Sequence, residues 1–351
     1  MAPSFAAAPE TQLDALFLPL ATGDLQLPAD ARVLFLHARD GRRLRESARP
    51  GWLCQQSFRP FAHALQSAGF TVGEPAQGER FDLVLVLPPR QRDEARAMFA
   101  RAARHAQPGA VVLAAVPNAE GAKSAEADFA MLFGPARNLS KHKCRVFWAT
   151  AEDALDLDVQ ARWESLDASR RIDGGYVSRP GLFAWDRIDP ASALLAAHLP
   201  EDLHGRVADL GAGYGYLAVQ LIARCPGVTA VDLYEAQARA LEPARANLAE
   251  AVAASAREVA VGVHWHDVTA GLPHRYDAIV SNPPFHQGRA DLPELGRAFI
   301  EAAAAALLPG GRLWLVANRH LPYEATLASR FAEVRMVAVQ EGFKVIEAVC
   351  A

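Results

Sequence analysis

The chain has 351 residues, 51% of them apolar and 22% charged, which is long for one core, comfortable for two, and excludes wholesale disorder. Its 36 basic and 40 acidic residues leave a formal charge of −4, excluding a generally basic nucleic-acid coat while permitting a local basic face. Cys54, Cys144, Cys225 and Cys350 are scattered without C-x-x-C spacing, so neither a zinc site nor a disulfide framework is expected and a reducing compartment fits.

The first residues, MAPSFAAAPETQLDALFL, lack the basic region and long apolar run of a secretory signal. No stretch approaches the length of a membrane span. The expectation is a soluble, cytoplasmic chain with no membrane segment and no metal, read as a monomer.

In chain order, Arg32–His37 reads as a strand, Phe58–Ala68 as a helix, Phe81–Leu87 as a strand and Arg92–His105 as a helix. Pro108-Gly109 then leads into a strand over Ala110–Val116. Residues 151–185 carry several charges and the loop Asp173-Gly174-Gly175, and are read as a linker. Beyond it, Arg206–Leu210 is a short buried strand ending in a glycine loop, Tyr216–Arg224 a helix, Val228–Tyr234 a strand and Ala236–Ala256 a helix. Val259–Trp265 and Tyr276–Ser281 are strands, residues 295–307 a helix, and Arg312–Ala317 a strand after Pro309-Gly310-Gly311. This alternation predicts parallel, doubly wound sheets.

The two halves share a phrase. FDLVLVLPP from Phe81 and YDAIVSNPP from Tyr276 are each followed by a helix, a Pro-Gly turn and a strand. That order indicates internal duplication. The division is 1–150 for a first domain, 151–185 for the linker and 186–351 for a second domain.

The loop DLGAGYG, Asp209–Gly215, follows a strand and opens a helix. Gly211, Gly213 and Gly215 let backbone approach a ligand closely, and the helix amino terminus offers free N–H groups. An acid two residues ahead of the first glycine is awkward beside a pyrophosphate and favourable beside an ammonium. The loop therefore reads as a site for S-adenosylmethionine, which carries an ammonium and a sulfonium, rather than for a dinucleotide. An acid ending the next strand should take the ribose hydroxyls; Glu235 is preferred, with Asp232 as the alternative. Asp267, after the third strand, stands where a loop would meet adenine.

SNPPF ends the fourth strand, at the edge where α/β sheets bind ligands. An exocyclic base nitrogen is a poor nucleophile because its lone pair is delocalised. Two acceptors gripping its N–H groups aim that lone pair at a methyl carbon. The Asn282 side-chain oxygen and the Pro283 carbonyl are suited to this, and Phe285 offers a stacking face. In the first half Leu87 replaces Asn282, Arg90 replaces Phe285, and ARDGRR replaces the glycine loop, so that copy reads as degenerate.

At these residues the sequence resembles the tandem-domain ribosomal RNA guanine-N2 methyltransferases of RsmC and RlmG type. PGLFAWDRIDPASALLAAHLP from Pro180, DLGAGYG, SNPPFHQG, VANRHLPY from Val316 and EGFKVIEA from Glu341 carry the resemblance. It implies two tandem Rossmann-like class I methyltransferase domains, the amino-terminal one degenerate, with S-adenosylmethionine as donor. The implied acceptor is a guanine N2 amine in ribosomal RNA or a ribosomal subunit, the small-subunit 16S RNA being favoured. The chain departs from the family pattern at Ala191, where a Gly is common, and at Ala212, where a Cys is common.

For RNA contact the first half offers Lys141, Lys143 and Arg145 beside Phe147 and Trp148, and the arginines of ARDGRRLRESAR. Two rival readings remain: an N-methyltransferase acting on adenine N6 or a protein glutamine amide, and a non-catalytic RNA-binding ribosome-assembly protein.

Overall fold

A computed structural model describes residues 10–151, 155–284, 286–287, 290–291 and 293–351. The chain divides between Ala168 and Ser169 into two compact units. In the first, strands β1 (Val33–Leu36), β2 (Trp52–Gln55), β3 (Phe81–Val86), β4 (Ala106–Pro117), β5 (Arg137–Lys141) and β6 (Cys144–Thr150) form one sheet of order β2-β1-β3-β4-β6-β5. Only β6 runs against the others. β1 reads VLFL and is wholly buried, as expected of a parallel strand covered on both faces. The helix Arg92–His105 places Asp93 and Glu94 in its first turn and Arg104 and His105 in its last, and Gln91 caps Glu94 N–H, each favoured by the helix dipole or its free amides.

The expected linker is absorbed by the two units. The helix Leu157–Glu164 buries Val159 and Trp163, four residues apart on one face, in the first unit's core. Strands β7 (Arg170–Arg171) and β8 (Val177–Ser178) form a hairpin of the second unit. There the Asn247 side chain accepts from Val177 N–H at 2.7 Å and donates to Val177 C=O at 2.8 Å. The boundaries at 150 and 186 are thus corrected to the 168/169 junction. An apolar helix face and a buried amide hold the intervening residues in place.

The second unit contains β9 (His204–Leu210), β10 (Gly227–Glu235), β11 (Ala260–Trp265), β12 (Tyr276–Ser281), a two-stranded ribbon of β13 (His286–Gln287) and β14 (Ala290–Asp291), then β15 (Leu307–Asn318), β16 (Glu333–Gln340) and β17 (Phe343–Val349). The main sheet has the order β11-β10-β9-β12-β15-β17-β16, with only β17 reversed. Helices Pro190–His198, Tyr216–Arg224 and Leu241–Ser255 bury one face of this sheet, through Leu195, Leu221 and Leu248 among others.

The two sheets match residue for residue about the central strand. Leu36 faces Val86 and Gln55 across β1, as Leu210 faces Ser281 and Tyr234 across β9. The next residue is left-handed in both, His37 at φ 57° and Gly211 at φ 72°. Leu87 therefore stands at the place of Asn282, Gln56 at that of Glu235, Phe35 at that of Asp209 and Arg39 at that of Gly213. The repeated phrase is a repeated fold, and Asp209, Glu235 and Asn282 are each exchanged in the first copy.

Candidate active site

The glycine loop leaves β9 at its carboxyl end. Gly213 lies at φ 54°, and a Cβ there would point into open space, so the loop presents bare backbone to the cleft. Gly215 serves packing instead: a Cβ would come within 3.2 Å of Leu233 and 3.6 Å of Ala244, between strand and helix. Asp209 is fully buried; its Oδ2 accepts the Ala218 N–H at 3.1 Å, while Oδ1 has no partner. Burial pushes its pKa up to about 7, against the opposing pull of the Ala218 amide. A carboxylate oxygen orphaned beneath a bare backbone loop fits a cationic group arriving from outside.

Glu235 ends β10 and turns back to the loop. Its Oε2 accepts Gly213 N–H at 2.8 Å and its Oε1 accepts Gln237 N–H at 2.7 Å. Loss of water raises its pKa, and these amides oppose the rise. Asp232 lies elsewhere, on the sheet face. Its Oδ2 accepts from Arg206 Nε at 2.6 Å and from the Tyr276 hydroxyl at 3.2 Å, and its Oδ1 lies 3.0 Å from His264 Nε2. Burial would raise its pKa, but Arg206 and His264 hold it below the usual carboxylate range. Of the two acids weighed for the ribose, only Glu235 touches the loop. Asp267 caps the short turn Val268–Ala270, accepting from Thr269 N–H at 2.9 Å and Thr269 Oγ1 at 2.7 Å.

Asn282 leaves β12 beside this loop. Its Nδ2 donates to Asp189 Oδ2 and to Ser192 Oγ, each at 2.9 Å. Asp189 also caps the helix Pro190–His198, accepting Ser192 N–H at 2.8 Å. A carboxylate oxygen accepting Ser192 N–H also accepts here, which fixes which end of the amide is nitrogen. Both amide hydrogens are thereby used, and among the described residues no hydrogen bond occupies Oδ1. Pro283 is buried beside it, and Phe285 lies outside the described residues.

Asp189, Ser192, Asp209, Gly213, Tyr214 and Asn282 line one cleft, with Phe183 at its mouth. Phe183 is 64% exposed, on a turn where Ala184 holds φ 46°. The residues that motif reasoning missed are Asp189, Ser192 and Phe183. They belong to the PGLFAWDRIDPAS phrase, whose resemblance to the family was their only signal.

In the first unit, Lys141 and Lys143 are exposed at a hairpin whose turn residues His142 and Lys143 are left-handed at φ 53° and 57°. Arg145 is instead ion-paired with Glu126. Phe147 and Trp148 are 0% and 5% exposed, and so are core residues, not stacking platforms. They sit on a central strand whose two faces are both covered. Arg42 and Arg43 share Asp14 and Glu46, and Arg45 holds Asp40. Among the described residues no group of three or more His, Cys, Asp or Glu side chains could hold a metal. Among the described residues no helix is long and apolar enough to cross a membrane.

The family model "Methyltransferase small domain" matches residues 174–347. A ribosomal RNA small subunit methyltransferase C of Shewanella amazonensis is 31% identical over 273 residues, 77% of this chain and 78% of that protein. One of Yersinia pestis is 31% identical over 272 residues, 76% and 74% of the respective chains. A solved T. thermophilus 16S rRNA N2 methyltransferase, RsmC, in complex with AdoMet and guanosine, superposes with a TM-score of 0.81. Its sequence identity is 28%, over 99% of this chain and 94% of that one. This chain therefore belongs to the ribosomal RNA small subunit methyltransferase C family.

Proposed function

We propose that the protein methylates the exocyclic N2 amine of a guanine in 16S ribosomal RNA, with S-adenosylmethionine as donor. The observation that carries the reading is that Asn282 lines the cleft with both hydrogens of its amide taken by Asp189 and Ser192, which leaves Oδ1 as the acceptor it can offer. The family relationship and the guanosine bound to the T. thermophilus relative support the choice of base.

When bound, S-adenosylmethionine supplies an electrophilic methyl group on a sulfonium. Asp209 would hold the donor's ammonium through its orphaned oxygen, Glu235 its ribose hydroxyls, and Asp267 the edge of its adenine. The Asn282 Oδ1 and the Pro283 carbonyl would each accept one N2 hydrogen of guanine. That contact turns the nitrogen lone pair out of conjugation with the ring and toward the methyl group. Phe183 would give the base a face to stack on, sharing that task with Phe285. The alkylated amine is acidic enough to release its proton to water, so no strong base is needed. In the amino-terminal unit Leu87, Gln56 and Phe35 stand where these groups stand, and that unit would bind RNA without binding donor, Lys141 and Lys143 facing the phosphates.

The test is to map methylated guanines in 16S rRNA from cells with and without the gene, and to restore the mark with purified protein and donor. A single N2-methylguanine should appear and disappear with the protein. An unchanged guanine pattern would overturn the reading, and methyl transfer to adenine or to a protein glutamine instead would move the activity to another acceptor.

A further inference from the structure

The amino-terminal copy has not only exchanged the acids beside the glycine loop; it carries a cation at the matching place. In the carboxy-terminal unit the loop after the central strand is flanked by two acids, Asp209 and Glu235. At the matching places stand Phe35, which is fully buried, and Gln56. The Gln56 amide donates to Ala38 C=O at 2.7 Å and accepts Phe58 N–H at 2.9 Å. Its Oε1 thus serves the same backbone position that Glu235 serves at Gln237. Where Gly213 leaves open space, Arg39 projects a guanidinium.

That guanidinium lies face-on to the Phe61 ring, its central carbon 3.3 Å from the ring centre. Loss of water lowers its pKa to about 10, which leaves it charged at neutral pH. Of the acids of this unit, Asp40, next to it in the chain, is engaged by Arg45, Glu74 by Arg101 and Gln55, and Asp14 and Glu46 by Arg42 and Arg43. Among the described residues Arg39 has no carboxylate partner. A half-buried cation is costly to keep without a counter-anion, and the ring face offsets only part of that cost. The place that an open glycine takes in one copy is taken in the other by a cation without a counter-anion.

We propose that this position binds a phosphate of the ribosomal RNA backbone, with Arg39 as its ligand and Phe61 holding the guanidinium against its ring. The assignment rests on the rRNA reading above. A phosphate offers the paired oxygens that a guanidinium fork matches, and a backbone contact here gives the amino-terminal unit a grip that does not depend on sequence.

The experiment uses the full chain and three variants. Arg39→Met removes the charge and keeps an apolar stem on Phe61, Arg39→Lys keeps the charge, and Arg43→Gln removes a cation already paired with Asp14. Equilibrium binding to 16S rRNA is measured over about 50–200 mM salt. One lost phosphate contact makes the plot of log affinity against log salt shallower by about 0.7–0.9. That change is expected for Arg39→Met, with most of it restored by Arg39→Lys and none seen for Arg43→Gln. The melting temperature of Arg39→Met should hold or rise, because an unpaired charge has left the interior.

A wild-type slope in Arg39→Met, or a fall in melting temperature with binding unchanged, overturns the proposal and makes Arg39 a packing residue. Inorganic phosphate at constant ionic strength separates the two sources of the anion. If it raises the melting temperature of the wild type but not of Arg39→Met, while the rRNA slopes agree, the occupant is free phosphate and the RNA assignment falls. Binding is read without turnover, so failure of wild-type rRNA methylation would count against the proposed function and not against this site.

Discussion

Asn282 and Asp189 lie 93 residues apart in sequence and are joined by a 2.9 Å hydrogen bond from the Asn282 amide to a carboxylate oxygen. The bond ties the end of β12 to the cap of the helix Pro190–His198, so the rotamer of the proposed clamp is set by an element outside its own loop. Asn282→Ala should lower the rate of methyl transfer by about 100- to 1,000-fold and leave donor affinity nearly unchanged. Asp189→Ala keeps the clamp oxygen but frees it to rotate. A loss on the order of 100-fold is expected, with a stability cost of about 1 kcal/mol from the missing cap. Ser192→Ala loses one hydrogen bond of about 1 kcal/mol, and Ser192→Thr retains it. Single-turnover rates with donor titrations check all four, and an Asp189→Ala enzyme of normal rate would show that Asn282 does not need its partner.

Asp209 gives a pH dependence whose sign is fixed by burial. Its pKa is raised from 3.8 to about 7, so between those values the folded state holds a proton that the unfolded chain has released. Stability without donor therefore falls as pH climbs through that window and levels off above it. A cation beside the free Oδ1 favours the carboxylate and draws the pKa back down. Donor binding should then release a proton below about pH 7 and tighten as pH rises through it. Calorimetry in buffers of different ionisation enthalpy reads the proton directly. Asp209→Asn should abolish the release and weaken the donor, and a release that persists in that variant would assign it to Glu235 instead.

The strand and helix alternation was legible because parallel strands buried on both faces are continuous apolar runs, and the proposed clamp was named from Asn-Pro-Pro following such a run. What escaped was pairing at long range. Asp189-Pro190-Ala191-Ser192 has the form of an ordinary helix cap, and nothing local says that a side chain 90 residues on will share it. Phe147 and Trp148 sit among basic residues in sequence, yet their strand lies inside its sheet and buries them. Arg145, on a strand, reads as a free cation in sequence, but Glu126 reaches it from the helix Ala122–Phe133. Charge counted along a chain overstates what is available on its surface.

That distinction bears on the hairpin of the amino-terminal unit. Lys141 and Lys143 are exposed, while Arg145 is already neutralised by Glu126. Changing both lysines to Glu should weaken 16S rRNA binding markedly at low salt and much less at high salt. Arg145→Gln should change it little under either condition. Filter retention across a salt series distinguishes these outcomes, and equal effects of the two changes would mean that the Arg145 ion pair opens on binding.

Tyr323, from the LPY phrase that helped mark the family, is fully buried and lies over Gly296 in the helix Pro293–Ala306. A Cβ at Gly296 would fall well inside contact distance of the Tyr323 hydroxyl. Two effects oppose each other in Gly296→Ala. Helix propensity favours alanine by about 1 kcal/mol, whereas forcing a methyl into a packed contact costs about 1–3 kcal/mol. The contact is with a fully buried ring, so overpacking should win and the melting temperature should fall. The same helix carries Phe299, whose ring would be 3.3 Å from a Cβ on Gly211, and a displaced helix should therefore disturb the donor loop as well. Gly296→Ala is expected to weaken S-adenosylmethionine binding alongside stability, and adding Tyr323→Phe, which removes the clashing oxygen, should recover part of both. A Gly296→Ala protein that melts higher than the parent would mean that the tyrosine moves aside freely, and that the phrase serves something other than packing.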